Sequence, residues 1–235
     1  MLDYTVFSDK GERQINEDTV GVLKKEDTFY FFLADGLGGH GLGNIASGFA
    51  VDELKAYFQH TDVLEEGIIH VQEVLLKEQK KQGYRGEMKT TVTLLSIAQS
   101  AVRYSHVGDS RIYHFHRGKL KDRTLDHSVC QRLVEARLIR EKDIRNHPDR
   151  SKLLKALGEP WGDYKVEVRE QVYDASDAYL LCSDGFWEHI TEKEMQKCLK
   201  KSKNTKDWID RMVAIILRNG RGTNMDNFSC IGVML

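Results

Sequence analysis

An α+β fold, with antiparallel sheets covered by pairs of helices, is the class this sequence predicts. Stretches with strand character come in blocks, and helical patterns come two at a time. The length of 235 residues suits one large domain with a sizeable core better than two small ones. Strict alternation of strand and helix, which a parallel sheet would need, does not occur.

The elements follow in order. Residues 5–8, 19–23 and 28–34 read as strands, being short, rich in β-branched and aromatic residues, and bounded by turn or charged residues. After a glycine-rich loop, Asn44 is placed to cap a helix that keeps Ile45, Phe49, Leu54 and Phe58 on one side. Leu64, Ile68, Val71 and Leu75 repeat the helical spacing, so two helices precede any further strand. Residues 90–98, 101–107 and 111–115 then form short strands with turns between them, the pattern of an antiparallel meander. Residues 125–149 are polar and hold one helical stretch near 129–138; they read as an excursion from the core, of the kind that shapes access to a site. Residues 164–172 and 178–182 return to strand, helices follow around 191–200 and 206–218, and 228–235 closes as a strand.

Bulk composition excludes several classes. Lys and Arg number 35 against 36 Asp and Glu, so no nucleic-acid footprint or acidic tail shows, and any partner is recognised locally. Only two prolines occur, with no linker-like stretch and no repeat. Met1-Leu2-Asp3-Tyr4 is not a basic-then-apolar leader, and the longest apolar runs are too short to span a bilayer, so the expected setting is the cytosol, with no membrane. Cys130, Cys182, Cys198 and Cys230 stand far apart without a C-x-x-C pair, which argues for small core residues over a zinc site or disulfides.

The informative feature is a set of acids where apolar strands start or stop: Asp18, Asp35, Asp109, Asp184 and Asp226. An acid near a core is costly unless paired or bound to metal, so the repetition invites a shared explanation. A metal centre with more than one ion supplies it. Carboxylates and backbone carbonyls suit Mg²⁺ or Mn²⁺, and two such ions ~3.5–4 Å apart can activate a water and stabilise a transferring phosphoryl group. Each Asp alone reads as a turn residue. Arg13, five residues before Asp18, could offer a planar guanidinium to a phosphate, although on position alone it reads as a surface residue.

Gly36-Leu37-Gly38-Gly39-His40-Gly41 matches G-x-G-x-x-G after a strand and before a helix, as a dinucleotide-binding turn would. Asp35 in front of it would oppose a pyrophosphate, and two helices follow instead of a helix and a parallel strand. The glycines serve better if the backbone approaches a metal closely, with the Gly36 carbonyl as a natural ligand. No Gly-Lys-Ser/Thr completes a P-loop, Arg137 lies one residue too far from Cys130 for a cysteine-phosphatase loop, and no Gly-x-Ser-x-Gly elbow occurs.

Several blocks occur in a fixed order: Arg13-Gln14-Ile15-Asn16-Glu17-Asp18, Leu33-Ala34-Asp35-Gly36, Thr90-Thr91, His106-Val107-Gly108-Asp109-Ser110-Arg111, Asp126-His127-Ser128, Ser183-Asp184-Gly185 and Asp226-Asn227-Phe228-Ser229. Together they resemble the metal-dependent protein phosphatases of the PPM or type 2C family, in bacterial form. The resemblance implies a four-layer α/β/β/α sandwich of two antiparallel sheets, with a dinuclear Mn²⁺ or Mg²⁺ site at one edge. One catalytic domain would cover residues 1–235, with a flap at about 126–161 that influences substrate choice and metal occupancy. It further implies that Asp35 bridges both ions, that Gly36 ligates through its carbonyl, and that Asp184 and Asp226 hold the second ion. Asp109 would join Asp184 on a third ion, Glu17, Asp18 and Asn227 would form the outer shell, and Arg13 would bind phosphate. A metal-bridging hydroxide would then attack phosphorus in line, the catalytic set being Asp18, Asp35, Asp184 and Asp226. Implied partners are phosphoproteins, including a serine/threonine kinase whose action the monomeric enzyme opposes.

Departures from the family pattern are Leu37 where animal members carry histidine, Lys89 where glycine is usual, and altered spacing in Gly222-Thr223-Asn224-Met225-Asp226. None removes a ligand. His40, His127 and His147 read as structural or surface residues. The competing readings are a phosphoprotein-binding module without hydrolysis and a nicotinamide enzyme.

Overall fold

The computed structural model describes residues 2–38, 41–84, 86–99 and 101–235. Its strands are β1 (Asp3–Asp9), β2 (Asp18–Lys25), β3 (Thr28–Leu37), β4 (Lys89–Thr90), β5 (Val92–Ala98), β6 (Ala101–Val107), β7 (Arg111–His116), β8 (Lys119–Arg123), β9 (Arg169–Val172), β10 (Asp177–Cys182) and β11 (Phe228–Met234). Its helices are α1 (Gly43–Phe58), α2 (Leu64–Gln82), α3 (Val129–Glu135), α4 (Asp184–Glu188), α5 (Glu192–Lys201) and α6 (Thr205–Gly220).

Two antiparallel sheets result, one ordered β1-β11-β10-β7-β8 and one ordered β2-β3-β5-β6-β9, with β4 paired to β3. Alternation along the strands decides which face meets what. On β3, Phe31 and Leu33 point to the other sheet and pack with Tyr179, Leu181 and Ile231, while Tyr30, Phe32 and Ala34 point outward to Ala50, Leu54 and Phe58 of α1. On β10, Leu180 and Cys182 point to Trp208 and Met212 of α6. Each fully buried side chain of this size contributes about 1.5–3 kcal/mol, so three apolar layers between four layers of structure hold the fold. The α/β/β/α sandwich expected from the resemblance is thus observed. Cys182 lies directly across from Cys230 in the β10–β11 pairing, and all four cysteines are buried free thiols, as expected.

Several local expectations need correction. Asn44 does not cap α1, which starts at Gly43 with Leu42 at its cap, and Ile45 is exposed. The face of α1 that packs on the sheet is made of Ala46, Ser47, Ala50, Val51, Leu54 and Phe58; its small residues let the helix approach closely. Strand β3 runs on through Asp35 and Gly36, and the strand expected at 90–98 breaks at Thr91. Of residues 164–172 only β9 is strand, β8 was not foreseen, and α3 stops at Glu135, before Arg137 with its positive φ of 59°. Isolated bridges join Ser128 in the excursion to Leu153 just after it, and tie the segment that follows back to β4 through Thr90 and Leu157.

Candidate active site

Strand pairing brings the first two acids together. In the β2–β3 register Asp18 stands opposite Asp35, a like-charge cross-strand pair that is unfavourable by itself. The backbone around Asp35 is fixed by Thr91, whose N–H donates to the Asp35 carbonyl (2.8 Å) and whose Oγ1 accepts from the Asp35 N–H (3.0 Å). Asp184 opens α4 directly after β10, and Asp226 precedes β11, so the second sheet delivers its acids at the same edge. Asp109 follows β6, and its carbonyl accepts from Trp187 Nε1 of α4 at 3.0 Å.

These groups surround one cavity of about 450 Å³, lined by Asp35, Gly36, Asp109, Asp184 and Asp226 together with Glu17 and Arg13. Asp18 sits behind this lining, 7% exposed, with Oδ2 accepting from Ser183 Oγ at 2.7 Å and Oδ1 buried without a hydrogen-bond partner among the described residues. Burial, reinforced by Asp226 and Glu17, pushes the Asp18 carboxyl up to about 7. Burial followed by Asp126 does the same to Asp109, also to about 7. Asp35 rises well above the carboxylate range through burial and then through Asp184, Asp18, Asp109 and Asp226; Asp184 rises through burial and then Asp109, Glu188, Asp226 and Asp18.

Such mutual repulsion, with a buried oxygen lacking any donor, fits a divalent cation as the missing partner. Among the described residues no three His, Cys, Asp or Glu side chains close around a single point. The carboxylates are instead spread over a wide cavity, which suits Mg²⁺ or Mn²⁺ because these ions keep several waters and accept backbone carbonyls. At Gly36 the backbone is closely approached: a Cβ there would meet the Gly43 carbonyl oxygen at 2.2 Å, so no other residue fits unchanged.

Arg13 and the outer residues take positions that sequence reasoning did not supply. Arg13 spends its fork on Asp226, with Nε to Oδ1 at 3.2 Å and Nη2 to Oδ2 at 3.1 Å. Asn227 holds the Arg13 loop: Nδ2 donates to the carbonyls of Lys10 and Ile15 (both 2.9 Å), and Oδ1 accepts from the Glu17 N–H at 2.8 Å. Glu17 sits against the start of α1, accepting from the backbone of Gly43 and Asn44, yet burial and Asp226 raise its carboxyl. Ser183 was missed as a partner of Asp18, although its place before Asp184 in the Ser-Asp-Gly block was a signal. Just after the excursion, Ser151 and Leu153 line the same cavity. His127 is half-buried beside His106 (ring centroids 4.5 Å apart), accepts from the Gly108 N–H on Nδ1 at 3.2 Å, and is pushed down to about 3 chiefly by desolvation. His147 Nδ1 accepts from the Asp149 N–H in a turn, and Gly39 and His40 lie outside the described residues.

A family model described as Protein phosphatase 2C matches residues 8–228. The serine/threonine phosphatase stp of Listeria monocytogenes serotype 4b (strain F2365) is 34% identical over 216 residues, covering 86% of this chain and 85% of that one. The crystal structure of serine/threonine phosphatase Stp1 from Staphylococcus aureus superposes with a TM-score of 0.89 at 27% identity, covering 100% of this chain and 95% of that one. The catalytic domain of serine threonine protein phosphatase PstP, in complex with two manganese ions, superposes with a TM-score of 0.84 at 25% identity, covering 99% of this chain and 97% of that one.

Proposed function

The chain belongs to the protein phosphatase 2C family and is a protein serine/threonine phosphatase; from that premise we propose how its own residues carry the reaction. Residues 1–235 act as one catalytic domain with a flap at about 126–161. A pair of Mn²⁺ or Mg²⁺ ions would be held by Asp35, the Gly36 carbonyl, Asp184 and Asp226, with Asp109 available to a third. When bound, such ions supply Lewis-acid charge to the phosphoryl oxygens and an acidified water for attack on phosphorus.

The protein groups do the rest. Arg13 exchanges Asp226 for the substrate phosphate, where its planar fork matches two oxygens and stabilises charge spreading over the phosphoryl group. Asp18 Oδ1, which has no donor among the described residues, orients the attacking water. Asn227 keeps the Arg13 loop in register through its three backbone hydrogen bonds. Leu37 follows Gly36 and offers no acidic proton, so the departing serine or threonine oxygen takes its proton from water. Substrates are phosphoproteins, and the enzyme opposes a serine/threonine kinase as a monomer. No described helix is long and apolar enough to cross a membrane, and the buried free thiols agree with a reducing, cytosolic setting.

The observation that carries this reading is the gathering of aspartates from both sheets around a single cavity that also contains Arg13. Its test is phosphate release from a phosphothreonine peptide with Mn²⁺, with EDTA, and by Asp35→Asn. Activity should require the ion, and the variant should lose more than the roughly 10–100-fold that an outer-shell group costs. Full turnover in chelated buffer, or by Asp35→Asn, would defeat the metal assignment.

A further inference from the structure

Beside the acidic cavity lies a second one, of about 440 Å³, and the two share Arg13 and Asp226 as a common wall. Their charge is opposite in character. The first sets five carboxylates against Arg13 alone; the second sets Arg13, Arg145 and Arg150 against Glu188 and Asp226. Its walls come from both sides of the flap boundary, because Arg145 and Arg150 lie within residues 126–161 while Glu188 ends α4 and Asn224 lies between α6 and β11.

The arginines are held without being exhausted. Arg150 donates from Nε to Glu188 Oε1 at 2.6 Å, and Arg145 donates from Nε to the Trp187 carbonyl at 3.0 Å and from Nη2 to Glu192 Oε1 at 2.6 Å. A guanidinium carries five N–H donors, so among the described residues both Nη groups of Arg150 and Nη1 of Arg145 remain for a ligand. Anchoring by Glu188, Glu192 and a backbone carbonyl fixes the forks before anything binds, which lowers the entropic cost of recognition. A fork anchored on one edge and open on the other suits a carboxylate or a phosphate.

We propose that this second cavity is a substrate subsite for an anionic residue, either an acidic side chain or a second phosphorylated one, close in sequence to the phosphoserine or phosphothreonine being cleaved. The proposal rests on the phosphatase reading above. Because the cavities share a wall, the anion would lie within about three or four residues of the reacting one, at ~3.3–3.6 Å per extended residue.

The test uses the Mn²⁺-loaded enzyme and a phosphothreonine peptide in an alanine background, with glutamate, phosphoserine or lysine walked through the flanking positions. At one or two positions glutamate should raise kcat/KM about three- to tenfold over alanine, mainly through KM, and lysine should lower it. Phosphoserine at the same position should do at least as well as glutamate. In Arg150→Gln, and separately in Asn224→Asp, the acid-to-alanine ratio should fall to within twofold of unity. Asn224 is exposed, with a φ of 58° that aspartate tolerates, so the second variant adds charge to the rim without removing an arginine. Each ratio is taken within one variant, so a general loss of activity cancels. Equal kcat/KM for glutamate and alanine at every position, or a preference that survives both variants, would overturn the subsite while leaving the phosphatase intact. Failure of the wild type on the alanine peptide would overturn the phosphatase reading and the subsite with it.

Discussion

Arg13 and Asp226 form the most instructive residue pair, since each is committed to the other where the proposed chemistry needs both elsewhere. The pair is open to solvent, with side chains 41% and 44% exposed, so it contributes at most about 1 kcal/mol to stability. Arg13→Ala should therefore melt within a degree or two of the parent, raise KM for a phosphopeptide roughly tenfold or more, and leave Mn²⁺ affinity by calorimetry unchanged or improved because Asp226 is released. An unchanged KM would remove Arg13 from the phosphate site. At this scale the acids were legible in the sequence, because aspartate at the end of an apolar strand is unfavourable unless something else holds it. The links from Asn227 to Lys10 and Ile15, and from Ser183 to Asp18, join residues 165 or more apart, and nothing local announces such pairs.

Between elements, one buried ion pair connects β7, the excursion and α4. Arg111 on β7 donates from Nε and Nη2 to Asp126 at 2.8 and 2.6 Å, and its guanidinium lies over the Trp187 ring at 3.5 Å. Burial alone would raise the Asp126 carboxyl, but Arg111 beside it outweighs burial and holds it below the usual range. Breaking a buried pair from one side costs about 3–5 kcal/mol, whereas replacing both partners by apolar groups is close to neutral. Arg111→Met should accordingly lower Tm by about 10 °C, and Arg111→Met with Asp126→Leu should recover most of it. A single variant melting within two degrees of the parent would show that the pair holds nothing together. Sequence reading failed mainly at the edges: β8 and β9 are the outer strands of their sheets, paired on one side and rich in charged residues. Charge protects an exposed edge from further pairing and erases the apolar alternation by which strands are recognised.

Taken whole, the molecule concentrates repulsion at one end of a well-packed sandwich. Asp18, Asp35, Asp109 and Asp184 all have folded-state carboxyls above their unfolded value, so without ions they favour folding below about pH 4 and oppose it increasingly as pH rises towards 7. His127 acts in the opposite sense: its pKa is pushed below the unfolded value, so its contribution is lost as pH falls from about 6.5 towards 3. Comparing Asp184→Asn with the parent, both in EDTA, cancels the histidine. The variant should melt several degrees higher at pH 7.5, and the gap should close as pH approaches 4 to 5. An Asn variant no more stable than its parent at pH 7.5 would contradict the crowding of charge. The layer order was readable because strand blocks and paired helices leave few ways to bury their faces.

The placement of Cys182 opposite Cys230 has a consequence for chemistry under stress. Both thiols are sealed in the sheet, and burial raises both well above the range in which a thiolate forms. Peroxide attacks thiolates, and enzymes that cleave phosphate esters with a sulfur nucleophile stall when it does. On the proposed reading the reaction runs from carboxylates, with these two thiols protonated and sealed away, and so does not depend on a thiolate that peroxide could take.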